Sequence, residues 1–115
     1  MIVFMNDNEP VLTASTAGTV LTLSIHRATI NTEDALRMQD EFRAILLTLP
    51  KNLQGVHLEI SEVLAMSSRG FETLLLIHRG CEERHIALTV SKLTPIFHRL
   101  LSRMGFLRLL KIEGA

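Results

Sequence analysis

The sequence predicts an α/β domain: one small mixed sheet with helices packed mainly on one side. Three observations carry this reading. Within the stretch Val56–Ile77 the apolar period changes from two to 3.6. Val56, Leu58 and Ile60 alternate with His57, Glu59 and Ser61, as in a strand with one buried face, while Phe71, Leu74, Leu75 and His78 fall at i, i+3, i+4 and i+7, as on a helix. Further on, the run IALTVS at 86–91 is followed by Thr94-Pro95, a helix start with Thr as N-cap and Pro at the first helical position. A Val/Thr/Leu-rich hairpin precedes both. Strand–helix–strand–helix behind a hairpin implies that the 55–61 and 86–91 strands run parallel, joined right-handedly by the intervening helix.

The chain then reads as follows. Residues 1–9, ending in NDNE, form a loose lead-in to a single domain that takes in residues 1–115. Residues 10–16 and 19–26 are the hairpin strands, with Ala17-Gly18 between them. Asn31 or Thr32 caps a first helix whose positive end suits Glu33 and Asp34. Its apolar stripe is Ala35, Met38, Phe42, Ile45 and Leu49, and Pro50 ends it. After a loop at 51–54 come the strand 55–61, the serine turn and a second helix, 68–83. Gly80 costs that helix about 1 kcal/mol against Ala, which predicts fraying near its end. The 86–91 run reads as a buried central strand. A third helix presents Phe97, Leu100, Leu101 and Met104 on one face and stops at Gly105 in a left-handed C-terminal cap. The tail FLRLLKI is a last short helix or strand.

Composition bounds the function. The 115 residues suffice for one core, and 47% of them are apolar. With no Trp or Tyr and five Phe, that core is largely aliphatic. The formal net charge is zero, which argues against nucleic acid or an acidic membrane as the main partner. Residues 1–62 carry four basic and eight acidic side chains, and residues 63–115 carry eight basic and four acidic, a dipole suited to an oriented protein contact. Cys81 is the sole cysteine, so no internal disulfide forms. No secretory signal and no apolar run of spanning length is present, and a cytoplasmic location without membrane insertion is expected.

Few constellations carry chemistry. His26, His57, His78, His85 and His98 are scattered without metal-ligand spacing, so no metal or cofactor is expected. MSSRG is not a nucleophile elbow, and no Gly-rich phosphate loop occurs. No trio of nucleophile, base and orienting group is visible, so the chain is not expected to be an enzyme. Arg99, Arg103, Arg108 and Lys111 form a basic stripe that reads as a solvated helix face, since no aromatics interleave it. Ser67 and Ser68 read first as a helix cap. The hydroxyls and the free N–H groups of the first turn are also where a phosphate is stabilised, and the functional site is placed there.

From Glu59 to Ile112 the sequence resembles the STAS domain, the family of bacterial anti-sigma factor antagonists. Glu59-Ile60-Ser61-Glu62-Val63 stands where that family reads D-L-S-G-V, and Ser67-Ser68-Arg69-Gly70-Phe71 where it reads D-S-x-G-L. Ile86–Ser91, Thr94-Pro95-Ile96, and Gly105-Phe106 with Leu109, Leu110 and Ile112 continue the pattern. The acid usual before the serine is Ser67 here, and the Gly and Asp usual in the preceding loop fall at His26 and Thr29. The resemblance implies a STAS-type fold and a non-enzymatic regulator that switches partners in transcriptional signalling. It implies Ser68 as the phosphorylated residue, with Ser67 second. The polar cluster between the two apolar periods marks Ser67, Arg69 and Glu72 around the helix start as partner-binding residues, with Thr29 and Asn31 on a neighbouring loop. The implied partners are an anti-sigma factor that is a histidine-kinase-like serine kinase, and a serine phosphatase. Nucleic acid is not a direct partner, and a homodimer is left open. The alternative it implies is a constitutive binding subunit of a lipid or anion transporter or other complex.

Overall fold

The computed structural model describes residues 10–112, with the side chains of residues 111 and 112 outside that description. The expected lead-in at 1–9 lies outside the described residues. The elements are β1 (Leu12–Ala17), β2 (Val20–Ile25), β3 (Thr29–Ile30), α1 (Thr32–Leu47), β4 (Gly55–Glu59), β5 (Ala65–Met66), α2 (Ser68–Glu83), β6 (Ala87–Val90), α3 (Pro95–Arg103), a 3-10 turn (Phe106–Arg108) and β7 (Lys111–Ile112). They form a mixed sheet in the order β1-β2-β4-β6-β7, plus a separate parallel pair of β3 with β5. β1 and β2 are antiparallel, while β2–β4, β4–β6 and β6–β7 are parallel, so the expected parallel relation of the 55–61 and 86–91 strands holds.

Side-chain alternation decides the layering. Leu21, Leu23 and Ile25 of β2 are buried, as are Val56 and Leu58 of β4 with Ile60 just beyond it. Against this face lie Ala35, Met38 and Phe42 of α1 and Phe71, Leu74, Ile77 and Cys81 of α2, all buried. Phe97 and Leu101 of α3 close the core, with the Phe97 ring stacked 6.0 Å from that of Phe71. The opposite face of the sheet bears Thr22, Ser24, His57, Glu59 and Thr89, all half-buried. His57 Nδ1 and Thr89 Oγ1 meet there at 3.0 Å. At the sheet's edge, Glu41 of α1 accepts hydrogen bonds from the N–H groups of Val11 and Leu12 at 2.9–3.2 Å, which shields the start of edge strand β1.

Several expectations are corrected. The hairpin turns at Gly18-Thr19 rather than Ala17-Gly18, with Gly18 at φ 63, so β1 runs on to Ala17. α1 ends at Leu47, three residues short of Pro50, because Thr48 closes it by bonding back to the Ile45 carbonyl. α2 buries Ile77 and Cys81 and leaves Leu75 and His78 half-buried, since it packs on the sheet and on α1 together. Gly80 is not a point of fraying: a Cβ there would sit 3.2 Å from Phe42 Cζ, so the missing side chain lets α1 and α2 approach. β6 lies one strand from the edge and runs from exposed Ala87 through half-buried Leu88 and Thr89 to buried Val90, and the central strand is β4. In α3, Phe97 and Leu101 are buried, Leu100 is half-buried and Met104 is exposed.

Candidate functional site

The site is built where three helices start. β2, β4 and β6 are parallel, and α1, α2 and α3 follow their C-terminal ends, so all three helices begin at one end of the sheet. The pair β3–β5 sets the spacing of the first two. Thr29 lies opposite Ala65 and Ile30 opposite Met66. The Ala28 carbonyl accepts from the N–H groups of Leu64 (2.7 Å) and Ala65 (3.1 Å), and the Ile30 carbonyl accepts from Ser67 N–H at 2.8 Å. Asn31 and Ser67, the N-caps of α1 and α2, therefore stand side by side. Thr94, the N-cap of α3, donates through Oγ1 to the Val63 carbonyl at 2.9 Å, which ties α3 to the segment leading into β5.

The two neighbouring caps differ in charge. Asn31 Oδ1 accepts from Asp34 N–H at 2.8 Å, and Asp34 Oδ2 accepts from Asn31 N–H at 3.2 Å, a reciprocal cap. Asp34 also pairs with Arg27. Glu33 and Asp34 thus offset the positive end of α1. The first turn of α2 carries no acid. Its Ser67 Oγ accepts from Gly70 N–H at 3.3 Å, and the remaining N–H groups of that turn and the dipole meet no carboxylate on the turn itself.

Ser67 is half-buried and committed to the cap. Ser68, at the first helical position, is exposed, and among the described residues its hydroxyl has no hydrogen-bond partner. Arg69 and Glu72 are exposed and pair with each other at 3.8 Å, so Arg69 is a cation shared with an acid at this surface. Thr29 and Asn31 are exposed on the neighbouring strand and cap. All six residues singled out in the sequence are thereby on one surface, with Ser67 the least accessible. Gly70 is buried because α2 starts directly over Met66: a Cβ at Gly70 would run into Met66 Cγ. That is a physical reason for glycine two residues after the exposed serine.

A polar knot holds the segment that delivers Ser68. Ser61 donates through Oγ to Glu59 Oε1 at 2.7 Å and through N–H at 3.3 Å. Ile60 N–H donates to Oγ of the buried Ser91 at 2.9 Å, joining the ends of β4 and β6. The Ser61 hydroxyl is the main cause that holds the Glu59 carboxyl below the usual glutamate range, partial burial acting against it. The acid and serine of E-I-S are therefore parts of a loop clamp.

Sequence reasoning missed several features here. His26 Nδ1 lies 3.1 Å from Glu62 Oε2, an exposed contact joining two loops. A pair 36 residues apart leaves no local signal. Leu64 and Ile96, 41% and 56% exposed, flank the Val63–Thr94 bond and add apolar surface to this end; they fall outside the apolar periods. Among the described residues, no group of three or more metal-ligating side chains occurs, and no helix is long and apolar enough to cross a membrane.

Known proteins agree with this architecture. Eight per cent of the sequence is identical to the anti-sigma factor antagonist SpoIIAA in its unphosphorylated form, whose structure superposes with a TM-score of 0.71 over 88% of this chain and 86% of that one. An anti-sigma factor antagonist from Mycobacterium paratuberculosis is 15% identical, with a TM-score of 0.71 over 90% and 85%. A sulfate transporter family protein from Wolinella succinogenes is 19% identical, with a TM-score of 0.70 over 85% and 79%. At such identities these likenesses speak for the fold. Among curated proteins none matches the sequence. The STAS-domain family profile matches residues 10–114, and with the strand, serine turn and serine-capped helix in the places described, the chain belongs to the STAS-domain family.

Proposed function

We propose that this STAS domain is a non-enzymatic, cytoplasmic partner-switching regulator of transcription whose switch is phosphorylation of Ser68. One observation carries the reading: an exposed serine, whose hydroxyl has no hydrogen-bond partner among the described residues, sits on the acid-free first turn of α2, the position for which the family resemblance implies modification. In this reading the unmodified domain binds an anti-sigma factor that is itself a histidine-kinase-like serine kinase, and the sigma factor is released. The partner contacts Ser68 and its surroundings, Thr29, Asn31, Ser67, Arg69 and Glu72. Phosphate adds about −1.5 to −2 charge. Backbone N–H groups of α2 and Arg69, released from Glu72, accommodate that charge within the domain. A partner surface shaped for a neutral hydroxyl rejects it, and a serine phosphatase restores binding. SpoIIAA and the mycobacterial protein, which share this fold, are both anti-sigma factor antagonists, and that supports this reading.

Incubation with such a kinase and ATP should add one phosphate to the wild type and none to Ser68→Ala. Ser68→Asp should abolish binding, and Ser68→Ala should make it constitutive. Phosphate appearing only on Ser67 or elsewhere would overturn the assignment.

A second reading has its own support. Ser67 and Thr29 stand where the family carries acids, and a sulfate transporter family protein shares the fold. In that reading the same surface binds a transporter or another complex constitutively, and Ser68→Asp leaves the complex intact.

A further inference from the structure

We propose that the outer surface of α3 and the 3-10 turn is a second docking surface, and that its occupant is a protein partner presenting clustered Asp or Glu side chains. From Arg84 to Ile112 the sequence contains six Lys or Arg and no Asp or Glu. The other helices are mixed: α1 carries Glu33, Asp34, Asp40 and Glu41 beside Arg37 and Arg43, and α2 carries Glu72, Glu82 and Glu83 beside Arg69 and Arg79. Lys92, Arg99, Arg103 and Arg108 are all exposed. Among the described residues, none of these four has a carboxylate within ion-pair distance. Arg99 and Arg103 are one helical turn apart and share a face. The negative C-terminal end of α3 accounts for Arg103 alone, not for the whole set.

The surface is also apolar in places. Met104 and Leu109 are 49% and 45% exposed. Arginine and methionine beside an exposed leucine are the composition of a protein interface, and the guanidinium fork matches a carboxylate with two hydrogen bonds. A lipid surface fits less well, because the apolar face of α3, Phe97 and Leu101, is spent in the core and cannot enter a bilayer. Nucleic acid fits less well because this surface presents no exposed aromatic ring for base stacking. Glu82, on the α2 side, lines a hollow with Leu109. α3 starts at the Ser68 end and runs about 13 Å away from it. The proposal therefore stands apart from the Ser68 switch and holds under either functional reading.

The test uses fluorescein-labelled poly-L-glutamate as the acidic probe, read by anisotropy against phosphatidylserine vesicles and a DNA duplex. The whole chain should bind poly-L-glutamate in preference to both, weakening about tenfold or more between about 50 and about 300 mM salt. Arg99→Glu with Arg103→Glu should lower that affinity at least about tenfold. Ser68→Asp should leave it unchanged, so failure of the switch and failure of this surface are distinguishable. If the charge reversals do not fold by circular dichroism, Arg99→Gln with Arg103→Gln should give the same direction of change. No binding at low salt, tighter binding to vesicles or DNA, or an unchanged affinity in a folded variant would each overturn the proposal. Concentration-dependent self-association competing with poly-L-glutamate would also overturn it, by making the acidic α1 of a second copy the occupant.

Discussion

Ser67 and Ser68 are adjacent and do different work, and the difference is measurable. Ser67 Oγ satisfies Gly70 N–H, so Ser67→Ala should cost about 1 kcal/mol in urea melts. Ser68→Ala removes an exposed hydroxyl and should change stability by no more than about 0.5 kcal/mol. Equal losses would mean that both serines are structural. His85 is an exposed residue held at φ 56 at the end of α2, where its N–H bonds to the Glu82 carbonyl and that of Ile86 to the Cys81 carbonyl. This pattern is usually completed by glycine, so His85→Gly should raise the melting midpoint, through a gain in stability of about 1 kcal/mol at most. A lower midpoint would show that the side chain contributes more than the backbone strain costs. Cys81 is buried, and burial pushes its thiol up to about 11, so iodoacetamide should label it at neutral pH only after unfolding. The Glu59 carboxyl is held low in the folded state. Its contribution is therefore present above the ordinary glutamate range and lost as pH falls through the lowered value. Glu59→Gln should thus destabilise at pH 7 and make little difference near pH 3, and an equal loss at both would remove the Ser61–carboxylate bond as the cause.

At the scale of elements, the two glycines of α2 are set by what packs against them. Gly80→Ala gains about 1 kcal/mol of helix propensity but forces a Cβ against the buried ring of Phe42 at 3.2 Å. Overpacking a rigid site costs about 1–3 kcal/mol, so the net effect should be a loss of about 1 kcal/mol. A gain in melting temperature would show that α1 and α2 move apart cheaply. Gly70→Ala meets Met66 far closer and should be worse, shifting the start of α2 as well. These contacts also explain what the sequence could convey. The helix starts at Asn31, Ser67 and Thr94 were legible, because caps are local chemistry, and so was the change of period on either side of Ser67. The role of Gly80 was not, because propensity is read along the chain while Phe42 comes from another helix. β3 and β5 were missed because two-residue strands are too short to show a period. The apolar run at 86–91 suggested a central strand, but the strand beyond it is only Lys111–Ile112. Ser67, Ser68, Arg69 and Glu72 stand out in the sequence around a polar break between two apolar periods; the β3–β5 pairing that sets Thr29 and Asn31 beside them leaves no local pattern.

On the scale of the molecule, the sheet acts as a rigid base that delivers three helix starts to one end. Bonds between segments lock that end: Ser67 to Ile30, Thr94 to Val63 and Ile60 to Ser91. The Phe71–Phe97 stack lies just beneath, at 6.0 Å, and continues to Phe106 at 5.8 Å. A new charge on Ser68 would meet an exposed surface above and a close-packed aromatic layer below. Close-packed cores do not deform gradually. The switch should therefore act by changing what the surface accepts, not by reshaping the domain. Ser68→Asp provides the test in a two-dimensional amide NMR spectrum. Shift changes should be confined to residues around 29–34 and 64–73, with the amides of β2, β4 and β6 unmoved and the thermal midpoint unchanged or slightly raised by an acid at a helix start. Changes spreading through the sheet, or a midpoint lowered by several degrees, would mean that the charge disturbs the core, and rejection by the partner would then have to be explained by a change of conformation.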